Sequence, residues 1–304
     1  MTAGGSSRLW VVVGATGTGK SGLSLDLAER IGETGRTAEI VNADAMQVYR
    51  GMDIGTAKVP VAERRGIPHH LFDVLEPSEE STVAWYQPTV RETIAQVFAR
   101  GADAILVGGS GLYVSSAIYD FRFPPRDHAI RARFEAELEV VGVDELFSRL
   151  ERLDPAAAAV VDGRNGRRVV RALELHELGE SAHGTLPETP ELWAPDTRIV
   201  GVHAERGALV ERLDRRVEAM WADGIVAEVR ELIPRGIGDG PTASRAIGYA
   251  QALAQLNGEL SQDEAISETQ RLTRRYARRQ VSWFRRYPDV TWLDAPDVGA
   301  IERT

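Results

Sequence analysis

Four groups of residues have types and spacings that can do chemistry. The first is Gly14-Ala15-Thr16-Gly17-Thr18-Gly19-Lys20-Ser21, which fits the phosphate-binding pattern G-x-x-x-x-G-K-[ST]. Glycines there let backbone N–H groups close round phosphate oxygens, and the helix that follows adds its N-terminal field. Lys20 supplies a positive charge, and the Ser21 hydroxyl stands where a Mg²⁺ ligand belongs. The second is Asp44, just after Glu39-Ile40-Val41-Asn42. A carboxylate at a strand's C-terminal end faces the ligand crevice of an open α/β sheet, and it can cap a helix there as well. The third is Ser110, inside the glycine-rich Gly108-Gly109-Ser110-Gly111. The fourth is Arg212 and Arg216, four apart on one helical face, which either point into the crevice or pair with neighbouring acids. His69-His70 has no third ligand at metal spacing and reads as a packing or hydrogen-bonding pair.

The elements that must hold these groups are legible as apolar runs. Leu9 to Val13 reads as a buried parallel strand, and Leu23 and Leu27 open a helix after the phosphate-binding loop. Glu39–Asn42, Ala104–Val107, Ile199–Val202 and Val290–Leu293 read as further strands. The Ala104–Val107 run has no acid at its end, so the usual Walker-B aspartate is missing, which counts against an ordinary ATPase. Arg50 to Pro77 reads as loops. Helices are expected over Thr82–Ala99, Ala208–Ile233, from Thr242 to beyond Tyr249, and over Asp263–Tyr287. Between Asp127 and Gly179 the pattern is helical throughout, and Ser181 to Asp196 holds three prolines and reads as a linker. The expected fold is α/β. A P-loop NTPase-like core with a parallel sheet flanked by helices spans 1–120 and 196–304, and a small all-helical insertion domain spans 121–195. There is no internal repeat.

The chain has 304 residues, no cysteine and a formal net charge of −9. Its apolar runs are far too short to cross a bilayer, and its first residues lack the basic and apolar regions of a signal peptide. A cytoplasmic protein is expected. The negative charge argues weakly against a polyanionic partner, because two arginine clusters stand out against it. Arg164, Arg167, Arg168 and Arg171 form one; Arg271, Arg274, Arg275, Arg278, Arg279, Arg285 and Arg286 form the other. For any single arginine a solvated helix face is the simpler reading, but the clusters make an anionic partner worth testing. From these residues alone the default reading is a P-loop small-molecule kinase.

Several segments point past that default. Gly14 to Ser21, Asn42 to Lys58, Pro68-His69-His70-Leu71, Val107 to Tyr113 and Arg278-Arg279-Gln280, in this order, resemble the bacterial tRNA dimethylallyltransferases, also called tRNA isopentenyltransferases. The resemblance runs from Val11 to about Leu293, and the Gly51–Lys58 stretch is its most specific part. It implies transfer of a dimethylallyl group from dimethylallyl diphosphate to N6 of adenosine 37, beside the tRNA anticodon, with release of diphosphate. Gly14, Ala15, Thr16, Gly17, Thr18, Gly19, Lys20 and Ser21 would hold the diphosphate with Mg²⁺ on Ser21. Asp44 would be the general base, Ser110, where the family often has Thr, would contact substrate, and Arg216 would stabilise the leaving charge. The resemblance places tRNA contacts at Asp44, Ala45, Met46 and Gln47, at Ser110 and Arg131, at Gly166, Arg167, Arg168, Val169 and Val170, and at Arg245, Ala246, Ile247, Gly248, Tyr249 and Ala250. The insertion would grip the anticodon stem-loop, and the target base would be flipped out of its stack. Ala45 departs from the family's usual Ser and removes a hydroxyl beside Asp44. A monomer acting on tRNA and dimethylallyl diphosphate, with no membrane partner, is expected.

Overall fold

The computed structural model describes residues 7–180 and 191–301, so most of the expected linker lies outside the described residues. The chain divides into two compact units, Met1–Tyr119 with Leu192–Thr304, and Asp120–Glu191. The inserted unit thus begins one residue before the position read from the sequence and ends four before it.

The first unit holds six parallel strands, five of them from the apolar runs: β1 (Leu9–Gly14), β2 (Ala38–Asn42), β3 (His69–His70), β4 (Asp103–Gly108), β5 (Thr197–Val202) and β6 (Val290–Leu293). Their order is β3-β2-β4-β1-β5-β6, so β1 is central and pairs with β4 on one side and β5 on the other. All-parallel sheets are covered on both faces, and the central strands are accordingly buried along nearly their whole length. Helix α1 (Lys20–Glu33) packs Leu23, Leu27 and Ile31 into the core over β2 and β4. Helix α2 (Val83–Ala99) starts where Thr82 accepts the Trp85 N–H, and α3 (Gly111–Ile118) follows β4 directly.

The second unit has its own core. Helices α4 (His128–Leu153), α5 (Pro155–Val160) and α6 (Gly166–Glu177) enclose Phe134, Leu146, Leu150, Val169 and Leu173. Asp127, Asp154 and Asn165 each accept a backbone N–H at the start of one of these helices.

Back in the first unit, three expectations need correction. The helix read over Ala208–Ile233 is two helices, α7 (Arg206–Ala222) and α8 (Ile225–Leu232). Gly224 separates them at φ 99°, a left-handed conformation that ends α7. Both halves bury apolar stripes, Leu213-Val217-Trp221 and Ile225-Val229-Leu232, so the periodicity runs on through the break. The helix expected from Thr242 is only a short 3-10 turn over Ala243–Arg245; α9 (Tyr249–Leu256) begins later, because Gly248 sits at φ 92°. His69 and His70, read as loop, form the edge strand β3 against Ile40 and Val41. Two residues are too few to show a period. Helix α10 (Gln262–Phe284) is the longest of this unit and leads to β6, and α11 (Val298–Ile301) follows. Among the described residues no helix is long and apolar enough to cross a membrane.

Candidate active site

The site is built where the loops after β1, β2 and β4 meet at the C-terminal edge of the sheet, the usual ligand position in parallel α/β sheets. The β1 loop needs its glycines. Gly14, Gly17 and Gly19 have φ of 148°, 80° and 91°. A Cβ on Gly14 would come within 2.6 Å of the Val202 carbonyl oxygen. The amides that open α1 have no helical acceptor and face the cavity. Thr18 Oγ1 and Lys20 Nζ both donate to the Ala15 carbonyl, at 2.9 and 2.7 Å, which curls the loop on itself. Both arginines of the fourth group face this loop. Arg212 donates to the Gly17 carbonyl at 2.6 Å, and an Arg216 Nη lies 3.4 Å from Thr16 Oγ1.

Asp44 is positioned from below by a buried asparagine. Asn42, fully buried at the end of β2, accepts the Asp44 N–H at 2.9 Å and donates to the Asp44 and Leu71 carbonyls. Tyr86 OH donates to the Asn42 carbonyl at 2.7 Å. The Asp44 carboxylate accepts the Met46 N–H at 2.8 Å through Oδ1. Ser110 Oγ accepts the Ala45 N–H at 3.1 Å and lies 3.4 Å from Tyr276 OH. The contact at position 45 is therefore made by backbone, and the hydroxyl missing from Ala45 is not part of what orients Asp44.

Two cavities share this centre. One, of about 290 Å³, is floored by the phosphate-binding loop and runs out past Gln47, His69 and Phe72. The other, of about 280 Å³, lies between Ala45, Ser110, Met220, the Arg245–Tyr249 stretch and Tyr276. Thr16, Asp44, Thr56 and Arg216 line both. Asp44 is the one carboxylate among the described residues lining either cavity. Burial lowers Lys20 to about 8; the Asp44 carboxylate opposes that shift and the Arg216 guanidinium adds to it. Burial also pushes Arg216 down from its ordinary value, again opposed by Asp44. Tyr276 is pushed up to about 12, chiefly by burial and then by the Asp44 charge, so it stands as a neutral hydroxyl. The arrangement is a cationic phosphate cradle at one end, a carboxylate at the junction and an aromatic-lined cavity at the other.

This chain is similar along nearly its whole length to known proteins. It is 57% identical over 291 residues to a tRNA dimethylallyltransferase of Clavibacter sepedonicus, covering 96% of this chain and 94% of the relative. It is 38% identical to the crystal structure of the full-length tRNA isopentenylpyrophosphate transferase of Bacillus halodurans, with a TM-score of 0.67 and coverage of 95% and 90%. Likeness to a eukaryotic dimethylallyltransferase acting on tRNA gives a TM-score of 0.79 at 28% identity, over 98% of this chain and 77% of that one. Residues 47–287 match the family model described as IPP transferase. The chain belongs to the IPP transferase family.

As a family member it holds most of the residues singled out in its sequence close to one centre, and it distributes the rest. Met46 lines the second cavity and Gln47 the first, where the Gln47 amide donates to the Thr56 and Ala57 carbonyls. Arg245, Ala246, Ile247 and Tyr249 line the second cavity. The Tyr249 hydroxyl, however, is engaged by Glu228 at 2.5 Å and by the Gly55 N–H, so it holds the Gly51–Lys58 loop. Gly248 and Ala250 flank the start of α9. In the second unit Arg167 and Arg168 are exposed. Val169 and Val170 are fully buried, so that any contact from them is a backbone contact. Arg131 is bound at 2.9 Å to Glu135 and lies 3.5 Å from the buried Glu174.

The sequence reading missed two residues of the site, Asn42 and Gln280, as individuals. Gln280, only 4% exposed, accepts the Thr16 N–H and donates to the Gly109 carbonyl, both at 2.8 Å. It ties the β1 loop to the β4 loop. The available signal was an amide at the end of a family-like segment in an otherwise arginine-rich helix.

Proposed function

We propose that this chain transfers a dimethylallyl group from dimethylallyl diphosphate to N6 of adenosine 37 of tRNA, releasing diphosphate. The observation that carries the reading is the meeting of two cavities at Asp44 and Arg216, one floored by a phosphate cradle and the other aromatic-lined. The diphosphate lies on the loop from Gly14 to Ser21, against the α1 amides and Lys20. The base enters from the second cavity, with N6 at the junction. N6 attacks C1, the C1–O bond breaks, and its electron pair leaves on the diphosphate oxygen. Arg216 and Lys20 stabilise that charge where it develops. Asp44, its plane fixed by the Met46 N–H, takes the N6 proton. Ser110 and Tyr276 frame the acceptor side.

The donor chemistry at Ser21 fits Mg²⁺: a hydroxyl is a hard oxygen ligand, and Mg²⁺ in phosphate sites takes few protein ligands beside phosphate oxygens and water. When bound, the ion neutralises diphosphate charge. A monomer is the working unit of this reading. The exposed Arg167 and Arg168 are read as phosphate contacts to the anticodon stem. A small-molecule kinase would use the same cradle, but β4 ends in Gly108 with no carboxylate to serve it.

The test is single-turnover transfer from labelled dimethylallyl diphosphate to unmodified tRNA, with the labelled nucleotide mapped. Asp44→Asn should slow transfer by ~10²–10⁴-fold with little loss of tRNA affinity. A near-normal rate would remove Asp44 as the base. Phosphate appearing on an acceptor when ATP is supplied, with no prenyl transfer, would overturn the whole reading in favour of a kinase.

A further inference from the structure

The Gly51–Lys58 stretch supplies none of the groups that make or break a bond in the transfer, yet it lies at the centre of the site. Thr56 lines both cavities, Gly55 lines the acceptor cavity and Ala57 the donor cavity. These three residues are a wall common to both compartments, which share Asp44, Arg216 and Thr16 as well.

The wall is imposed from outside. Ala57 has φ 49°, a left-handed conformation that is unfavourable for a residue with a Cβ and persists where the surroundings fix it. Three sets of contacts do so. The buried Lys58 ammonium donates to Asp53 and Asp73, each at 2.6 Å, and to the Tyr49 carbonyl at 2.8 Å. From the β2 side the Gln47 amide donates to the Thr56 and Ala57 carbonyls at 3.0 and 3.4 Å. From α8, Glu228 accepts the Ile54 N–H at 2.9 Å through one oxygen and the Tyr249 hydroxyl at 2.5 Å through the other. That hydroxyl in turn accepts the Gly55 N–H at 3.2 Å. Its ring is packed on the turn, since a Cβ on Gly55 would come within 2.4 Å of it. Burial and then the Glu228 charge push the Tyr249 hydroxyl up from its ordinary value, so it stays protonated and donates.

Glu228 stands 174 positions from Ile54 and lines neither cavity. Both of its oxygens are engaged in orienting a wall that other residues form. The wall matters because an allylic carbon losing diphosphate reacts with any nucleophile in reach, water included, and a closed site suppresses that side reaction. We propose that Glu228 is a positioning residue: acting on Ile54 and, through Tyr249, on Gly55, it keeps the Gly51–Lys58 turn closed at the junction, so that C1 of the donor meets N6 and not water. With the wall displaced, a water oxygen bonds to C1 and the C1–O bond to diphosphate breaks. Its electron pair leaves on the diphosphate, and the water proton passes to solvent, giving dimethylallyl alcohol. This rests on the reading of the chain as a dimethylallyl-transferring enzyme.

The experiment follows labelled dimethylallyl diphosphate with unmodified tRNA in wild type, Glu228→Ala, Glu228→Gln, Tyr249→Phe and the Glu228→Ala/Tyr249→Phe double variant. Prenylated tRNA and total diphosphate are measured in one reaction. Wild type should form the two in equal amounts. Glu228→Ala and Tyr249→Phe should lower kcat for transfer on the order of tenfold to a hundredfold, as a displaced reacting geometry does, and release diphosphate in excess of prenylated tRNA. The KM for the donor should change little, because the Gly14–Ser21 loop still holds the diphosphate. Glu228→Gln, which keeps a carbonyl acceptor without the charge, should restore part of the rate. The double variant should lose less than the product of the two single losses, because the residues act in one chain of contacts. Loss of folded protein alone lowers transfer and release together and leaves their ratio at the wild-type value; that ratio in both single variants overturns the proposal. Fully multiplicative losses overturn the route through Tyr249, and a Glu228→Gln variant as impaired as Glu228→Ala overturns positioning by hydrogen bonds. Should Glu228→Ala not fold, Tyr249→Phe, which keeps the ring, decides by the same ratio. If wild type transfers to no tRNA, the functional reading itself fails, an outcome separate from the comparison of variants.

Discussion

At the scale of the residue, Lys20 shows how the site is loaded with charge before substrate arrives. Its amine shares a half-buried cavity with Arg216, and its pKa is lowered to about 8, mainly by burial. An unfolded chain keeps that proton up to the ordinary value of 10.5. Between these two values the unfolded state binds more protons, so this group makes stability rise with pH across the window. Below it the folded protein carries the full cost of a buried ammonium. A diphosphate reverses the balance, because it favours the charged amine. Two outcomes are expected. Diphosphate affinity, measured by calorimetry, should fall as pH rises through about 8. Lys20→Met should raise the melting temperature of the ligand-free protein at pH 7, the gain fading toward high pH, while diphosphate binding is lost. A pH-independent affinity in the wild type would show that Lys20 does not carry the leaving group.

At the scale of the element, the site depends on loops from β1, β2 and β4 held at fixed separation, and Gln280 of α10 is the tie between two of them. A Cβ on Gly109 would come within 2.3 Å of the Gln280 amide, so glycine and glutamine are matched there. Gln280→Glu keeps an acceptor for the Thr16 N–H, loses the donation to Gly109 and adds negative charge beside the cradle. It should raise the KM for the prenyl donor more than Gln280→Leu does, while both lower kcat and neither changes tRNA affinity. Equal donor KM in the two variants would mean that the side chain only fills space. This tie also marks the limit of what the sequence discloses. The phosphate-binding loop, Asp44 and Ser110 were legible because each ends a short apolar run, and parallel sheets gather such ends on one edge. Gln280 contacts a residue 264 positions away, and nothing local distinguishes it from its arginine neighbours. The break at Gly224 was illegible for a different reason. Periodicity records burial, and burial continues on both sides of the turn.

At the scale of the whole molecule, the inserted unit is a separable piece in its connections. The chain leaves the first unit at Tyr119 and returns at Leu192, and these two residues form an isolated antiparallel bridge. The Trp193 N–H donates to the Ile118 carbonyl at 2.8 Å beside it. The ends are thus already adjacent, and a loop of a few Gly and Ser residues can replace 120–191 at small entropic cost. Each unit has its own apolar core, so removal of one does not strip the other. The shortened chain keeps every residue that lines the two cavities. It should fold, bind diphosphate with the affinity of the full chain and retain the depressed Lys20 titration. Its tRNA affinity should drop by roughly tenfold or more, and the salt slope should fall with it, because Arg167 and Arg168 leave with the unit. Full tRNA affinity in the shortened chain would move the grip on the anticodon stem to the first unit. Loss of diphosphate binding as well would show that the cradle needs the inserted helices, and that the division into units is not a division of labour.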